Sequence, residues 1–543
     1  MHDEEFCGRA DAGMRPARVA PVVLHKLFGA LPGFLAPIRP VTDDDGARST
    51  VTGVTIDSRL VRPGDLYVAL PGTGRHGADF TAQAAAAGAA AVLTDTDGRT
   101  AAATALQGTG VPLFLASKLR DYVGPLAAVV FNSQPHGRRP VLYGVTGTNG
   151  KTTTTYFLNA LNDALGRSTG LIGTIEIHAG GETIPSALTT PESPQVHGLL
   201  GLMRERGIGA AAMEVSSHAI EYRRVDGVFF DVAGFTNLTQ DHLDLHGTME
   251  EYFASKAALF APQRSGRAVV IVDDEWGRLL ASRAGIDTVT LSISGGPADW
   301  TVTGVTREGL GHRFTLDGPD DQQITLHCGL PGTFNVANSA LAAVMIHASG
   351  VPVEEIQAAA DARDPFTVAV PGRMQLVSER PAAIVDFAHN PDALARTLES
   401  VRGNGPDSRV LVVFGATGQR DVSKRPIMGA TAARLADVVI VTDDDPHDED
   451  ESAIRAGVLD GARAARSAEN LSCEILEVYP RADAIERAVA LAGDADVVLI
   501  AGRGHEVWQE VKGVNLALDD RVELAAALTR HGFSVLPDSR IES

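Results

Sequence analysis

Residues Val141–Thr153 read VLYGVTGTNGKTT, and this stretch decides the fold. Val141–Val145 is an apolar run of the kind that fills a strand buried on both faces. Gly147-Thr148-Asn149-Gly150-Lys151-Thr152 follows it, with Thr153 next, and a helical pattern then runs from Thr152 to about Leu165. A Gly-rich turn between a buried strand and a helix is the setting of a phosphate-binding loop. Its glycines let backbone N–H groups close on phosphate oxygens, and the helix N-terminus adds partial positive charge. Lys151 would reach the β- and γ-phosphates of a nucleotide, and Thr152 is placed to ligate Mg2+. The spacing departs from the strict GxxxxGK[ST] form, because position 145 is Val and the upstream glycine is Gly144. A Gly-rich turn with no ligand is the plainer alternative, and nucleotide binding alone names no reaction.

Outward from the loop the chain alternates. GAAAMEVSS, FDVAGFTNL and AVVIVDD read as strands that follow the loop helix, and Asn335 to Arg363 is helix-rich. A fresh alternation starts after Pro371 with AAIVDFAHN, RVLVVFGATG, DVVIVTDDD and DVVLIAGRG. Continuous Val/Ile/Leu strands ending in Gly, Asp or His loops indicate parallel sheets covered on both faces, with ligands at the carboxyl ends of the strands. Upstream, a strand-and-turn pattern begins at Val51, with a helix over Thr81–Gly88 and a strand AAVLTD. The basic segment His136-Gly137-Arg138-Arg139-Pro140 reads as a linker. The expected class is α/β in three domains: 1–138, whose first fifty residues read as irregular with a loose tail before Met14, then 139–370 and 371–543.

The 543 residues suit three domains, and 44% hydrophobic with 21% charged residues is an ordinary globular balance. Asp+Glu 68 against Lys+Arg 47 gives a net charge of −21, which argues against a broad nucleic-acid surface but leaves room for a basic pocket. Cys7, Cys328 and Cys473 form no CxxC pair, so a disulfide framework or zinc-thiolate site is not expected and a reducing compartment fits. No apolar run reaches the roughly 18 residues of a membrane span. The expectation is a cytoplasmic monomer acting on small molecules, with no nucleic acid and no membrane.

GTNGKTT is accompanied by an ordered set of further motifs: Thr189-Thr190-Pro191-Glu192, Glu214-Val215-Ser216-Ser217-His218, Phe235-Thr236-Asn237-Leu238 with Asp241-His242-Leu243-Asp244, and Lys256. Gly332-Thr333-Phe334-Asn335-Val336-Ala337-Asn338, Pro371-Gly372-Arg373-Met374 and Asp386-Phe387-Ala388-His389 come next. Gln419-Arg420-Asp421 with Lys424-Arg425-Pro426, and Gly502-Arg503-Gly504-His505-Glu506, close the series. From about Val51 to Gln509 the chain resembles the Mur ligase family. The closest resemblance is to the branch that adds the third amino acid to UDP-N-acetylmuramoyl-L-alanyl-D-glutamate in peptidoglycan synthesis. The resemblance implies an N-terminal domain for the UDP end, a central P-loop ATPase domain and a C-terminal Rossmann-like domain for the amino acid.

It also implies roles. ATP phosphorylates the D-glutamyl γ-carboxylate and an α-amine attacks the acyl phosphate, chemistry that needs positioning and charge neutralisation above all. Lys151, Glu214, His242 and Lys256 are the implied catalytic residues, with Thr152, Glu214, His242 and Lys256 as the implied Mg2+ site. Taken alone, Lys256 in the helical stretch Glu250–Phe260 reads as a solvated lysine. The resemblance makes it N6-carboxylysine, a carbamate whose oxygens attract Mg2+ where an ammonium would repel it. Gly147 to Thr153, Asn237, Asn335, Asn338, Arg373 and Asp386 map to ATP contacts. Ser58, Thr189, Thr190, Ser216 and Arg224 map to the muramoyl-dipeptide, although Leu188 stands where the family has Asn.

Arg420, Asp444, Asp445, His447, Gly502 and Glu506 map to the incoming amino acid. Family members using meso-diaminopimelate carry Asp-Asn-Pro-Arg where this chain has Asp444-Asp445-Pro446-His447. The arginine that would fork onto a distal carboxylate is missing, and residues 443–451 are strongly acidic. That pattern favours L-lysine, ahead of meso-diaminopimelate and ornithine. Asp448–Glu451 also suits the acidic first turn of a helix starting near Ser452. The other readings are another Mur ligase or folylpolyglutamate synthase, and a non-catalytic nucleotide-dependent binding protein on the same fold. A P-loop GTPase is disfavoured because no NKxD motif is present.

Overall fold

The computed structural model describes residues 14–537 apart from 34, 42–47, 73, 136, 187 and 403–407. Cys7, His136 and the tail before Met14 lie outside the described residues. Three parallel-rich sheets follow one another along the chain.

The first sheet has five strands in the order Arg39–Pro40, Leu113–Leu115, Ala91–Thr94, Asp65–Val68 and Gly53–Thr55. Only Arg39–Pro40 is antiparallel. Helix Arg120–Phe131 lies against it and buries Tyr122, Leu126 and Phe131. The first fifty residues are less irregular than expected: helix Leu24–Gly29 buries Leu24 and Leu27, and Val22–Val23 pairs with Thr50–Val51. Met14, at the end of the supposed tail, is buried in the central core. Beside it Arg15 pairs with buried Asp65, and the Ala17 and Arg18 N–H groups donate to Glu205. A strap of so few residues has no periodicity to read.

The central sheet has eleven strands. Strand Val141–Thr146 lies between Ala210–Glu214 and Phe230–Phe235, parallel to both, with Glu214 opposite Val145 and Phe235 opposite Thr146. This register sets the phosphate loop, Glu214 and Thr236-Asn237 side by side at one sheet edge. The following helix, Lys151–Ala164, contains Thr152–Thr155, four β-branched residues that favour helix poorly. Packing holds it: Phe157, Leu158 and Leu161 are fully buried, each worth roughly 1.5–3 kcal/mol. Antiparallel pairings complete the sheet, through Glu176–Ala179 and Thr183–Pro185 on one side and, beyond Trp300–Glu308, which runs parallel to Asp287–Ser292, through Gly311–Asp317 and Gln323–Cys328 on the other. The strand expectations above include none of these additions, although Gln323–Cys328 nearly alternates exposed and buried residues, the period-two signal of a half-buried strand.

The last sheet has six strands, with Gln375–Glu379 antiparallel at one edge, then Ala382–Asp386, Val497–Ala501, Val410–Phe414, Val438–Val441 and Glu474–Glu477, all parallel. Val410–Phe414, Val438–Val441 and Val497–Ala501 are buried at every position, as continuous apolar strands require. Their carboxyl ends lead into Gly415–Arg420, Asp443–His447 and Gly502–Glu506, which face the central sheet across a shared cavity. Among the described residues no helix is long and apolar enough to cross a membrane.

Candidate active site

A cavity of about 1370 Å³ runs between the central and C-terminal sheets and is lined by both. At its phosphate end two glycines are required by space. A Cβ on Gly147 (φ +149°) would lie 1.8 Å from Thr236 Oγ1, and one on Gly150 (φ +90°) 2.4 Å from Asn338 Oδ1. Gly144, by contrast, serves packing: its Cβ would meet the Phe230 ring at 2.6 Å. The loop is held from the neighbouring strand end, with Thr148 N donating to Asn237 O (2.9 Å) and Asn149 N to Asn237 Oδ1 (3.0 Å). No side chain caps the helix that starts at Lys151, which leaves its first N–H groups for a ligand.

Two lysines converge on this loop. Lys151 Nζ donates to the carbonyls of Gly147 (3.0 Å) and Thr148 (2.9 Å), and Lys256 Nζ donates to the same Gly147 carbonyl (2.8 Å). Burial lowers the pKa of both, and Lys151 lowers that of Lys256 further. Lys256 stands 4.6 Å above the Tyr252 ring. It does not line the cavity; it sits behind the loop.

Glu214 ends its strand fully buried and takes hydrogen bonds from Thr152 Oγ1 (2.8 Å), Thr174 N (2.7 Å) and Thr174 Oγ1 (3.0 Å). His242 has a left-handed backbone (φ +52°); its ring keeps some exposure, and desolvation by its neighbours lowers its pKa against the pull of Asp241. Burial pushes the Asp241 carboxyl up, but His389, His242 and Lys424 hold it below the usual carboxylate range. Among the described residues no three His, Cys, Asp or Glu side chains form a ready-made metal cluster. Thr152 Oγ1 and the Glu214 carboxylate are oxygen donors of the kind a hard divalent cation takes, and His242 lies on the same cavity wall.

From the C-terminal side Arg373 stacks on the Phe387 ring at 4.0 Å and points Nη2 toward Thr152 Oγ1 (3.5 Å). Its Nη1 is buried without a hydrogen-bond partner, a cation placed for an anion. Asp386 steadies this arginine's loop by accepting from Met374 N (2.8 Å). Asn149 Nδ2 donates to Asp392 across the two sheets at 3.2 Å.

Most of the residues singled out from the sequence line the cavity, including Thr189, Ser216, Arg224, Asn237, Asn338, Arg420 and Gly502. Five others do not: Thr190 is buried and donates to Glu214 O (2.7 Å), Asn335 bonds Pro331 O and Asn338, Ser58 Oγ donates to Gln83 of helix Thr81–Ala86, and Gly147 and Lys256 lie behind the lining. Arg224 turns its Nε to Glu192 (2.9 Å) and Nη1 to Thr190 O (3.3 Å), so its fork is engaged within the protein. Thr174, Asp241, His389 and Arg503 are cavity or supporting groups that the motif reading left without a role. Asp241, His389 and Arg503 stand inside quoted motifs, whereas Thr174 lies in none.

The acidic segment corrects the charge count. Asp443 pairs with Arg455, Asp445 with buried Arg503, and Glu449 with Arg425 (2.6 Å). Asp450 caps helix Glu451–Glu469 by accepting from Ser452 N and Ala453 N, the plainer alternative for that stretch. Asp445, one of the three acids offered to the incoming amino acid, is thus engaged in an internal ion pair. It lines the cavity together with Asp444 and Glu506. Burial and the adjacent Asp444 raise the Glu506 pKa to about 8, Arg503 opposing. His447 (φ +52°) is tied by Nδ1 to Glu510 at 3.0 Å.

Three family models match the chain: "Mur ligase family, catalytic domain" over 50–128, "Mur ligase middle domain" over 145–346, and "Mur ligase, glutamate ligase domain" over 372–504. The chain is 44% identical to a UDP-N-acetylmuramoyl-L-alanyl-D-glutamate–2,6-diaminopimelate ligase of Streptomyces avermitilis, over 95% of this chain and 98% of that one. It is 43% identical to a UDP-N-acetylmuramyl-tripeptide synthetase of Leifsonia xyli subsp. xyli, over 90% and 94%. A solved 2,6-diaminopimelate ligase superposes with a TM-score of 0.63 at 28% identity, covering 95% of this chain and all of that one. The chain belongs to the Mur ligase family, ATP-dependent enzymes that form amide bonds.

Proposed function

We propose that the chain joins a diamino acid to the D-glutamyl γ-carboxylate of UDP-N-acetylmuramoyl-L-alanyl-D-glutamate, with ATP and Mg2+, through an acyl phosphate. The observation that carries this is Arg373, whose partnerless Nη1 reaches from the C-terminal unit toward Thr152 at the head of the phosphate loop. Residues 139–370 would then hold ATP, 371–543 the amino acid and 1–138 the UDP end, with Ser58 at the pyrophosphate.

Lys151 exchanges two loop carbonyls for phosphate oxygens, and the loop N–H groups close on the same charge. Arg373 adds its guanidinium only when the two units are together, which ties phosphoryl transfer to closure. Thr152 and Glu214, with His242 beside them, would hold Mg2+, which would supply further neutralisation of the transferring group. Thr189 and Ser216 border the path of the dipeptide, and Arg420 takes the α-carboxylate of the amino acid. At Lys256 the neutral amine attacks CO2, one proton leaves, and the resulting carbamate carries negative charge. A buried repulsion between two lysines on one carbonyl thereby becomes an attraction.

L-Lysine is the favoured third residue. His447 has one ring nitrogen engaged by Glu510, no guanidinium stands in its place, and Asp444 with Glu506 offers carboxylates to a distal ammonium. meso-Diaminopimelate is the second reading, because relatives at 44% identity carry that amino acid in their names. The test is ATP turnover by the purified protein with the UDP-muramoyl-dipeptide and each amino acid. Lysine should exceed meso-diaminopimelate by at least about tenfold in kcat/KM. The reverse order installs the second reading, and no ADP or tripeptide with any diamine ends the proposal.

A further inference from the structure

The wall that carries His447 is not secured by the C-terminal sheet alone. A two-stranded hairpin, Trp508–Val511 with Val514–Ala517, is stitched onto it. His447 N donates to Glu510 O (3.2 Å), Lys512 N donates to His447 O (2.8 Å), and His447 forms an isolated parallel bridge with Val511. Gln509 Nε2 donates to Asp444 O, and Glu510 N to Asp445 Oδ1 (3.3 Å). The left-handed backbone at His447, uncommon outside glycine, is thus held from outside the loop. Glu510 does not line the cavity, whereas His447 does. The Glu510 carboxylate reaches His447 from behind and holds its Nδ1 at 3.0 Å.

We infer that Glu510 is a positioning residue for amino-acid selectivity. It holds the His447 ring by Nδ1 from behind the cavity wall and sets negative charge beside it, so this wall is built against a second carboxylate. The inference rests on the lysine reading above and deepens it. The other charged groups of this end are Lys512 of the hairpin, whose N–H bonds His447 O, and Asp444, Asp445, Glu506, Arg420 and Lys424, which line the same cavity as His447. With Gln in place of Glu510 the ring loses its negative partner and is free to donate to the distal carboxylate that lysine lacks.

The experiment measures kcat and KM for L-lysine and meso-diaminopimelate in the wild type, Glu510→Gln, and Glu510→Gln with His447→Ala. In Glu510→Gln the diaminopimelate-to-lysine ratio of kcat/KM should rise about tenfold, through KM for diaminopimelate. The gain should vanish in the double variant. An unchanged ratio, or a loss shared equally by both amino acids, overturns the inference while leaving the ligase reading intact. A wild type that already prefers meso-diaminopimelate overturns the lysine reading and this inference together. Absence of turnover with every amino acid defeats the proposed reaction itself.

Discussion

At the phosphate end of the cavity, the cationic groups are held by the loop or by nothing: Lys151 rests on two backbone carbonyls and Arg373 Nη1 has no partner. At the amino-acid end, Asp443, Asp445, Glu449 and Asp450 are matched by arginines or by a helix start, and His447 by Glu510. The first end stores unspent cationic charge for a polyanion. The second has neutralised most of its acids internally and leaves Asp444 and Glu506 to meet a small ligand. A segment's formal charge therefore predicts its ligand only after the internal pairs have been subtracted.

The largest effect tests the unspent end. Lys151→Met removes the cation that transfers from carbonyls to phosphates, and kcat should fall about 10³-fold, on the scale of losing one preorganised transition-state donor. Thermal melting of the ligand-free protein should hardly change, because Lys151 bonds only its own loop. A variant that keeps near-normal turnover would mean that the phosphate end does not work by stored charge.

Lys256 gives the next effect. Its pKa, depressed by burial and then by Lys151, favours the uncharged amine that can attack CO2 over the ammonium. Lys256→Ala should lower kcat by about 10²-fold. Added short carboxylic acids should restore part of the activity by filling the space of the carbamate. Labelled bicarbonate should give a carbamate carbon signal in the wild type and none in the variant. Undiminished activity under rigorous CO2 removal would leave Lys256 as a prop for Gly147.

The contrast between the ends also explains what the sequence could convey. The loop, its strand and its helix were legible because glycine, lysine and apolar runs have few alternative uses at that spacing. The buried C-terminal strands were legible for the same reason. Thr189 and Thr190 were not distinguishable, since adjacent residues face opposite ways and only the fold shows that Thr190 spends its hydroxyl on Glu214 O. Asn335 was placed at the nucleotide although it supports Asn338 from behind. Thr174 grips Glu214 with two hydrogen bonds from a segment without any motif. The acidic run overstates its free charge, because its arginine partners, Arg425, Arg455 and Arg503, lie 24, 12 and 58 residues away from the acids they bind.

The smallest effect concerns pH at the amino-acid end. Glu506 has its pKa raised to about 8 by burial and by Asp444. At pH 7 only about a tenth of the empty sites then carry the carboxylate. A ligand ammonium favours that form, so binding a diamine at pH 7 should release a proton, and its affinity should improve up to about tenfold between about pH 7 and pH 9. Calorimetry in buffers of different ionisation enthalpy measures both. Glu506→Gln should flatten the profile and abolish the proton release. The sign for stability is opposite: a carboxyl with a raised folded-state pKa binds its proton more tightly folded than unfolded, so the empty protein loses stability as pH climbs from the ordinary glutamate value to about 8. Glu506→Gln should therefore melt higher than the wild type at about pH 9 and draw level with it at about pH 5. A diamine affinity indifferent to pH in the wild type would show that Asp444 alone receives the ammonium, leaving the amino-acid end with a single unspent acid.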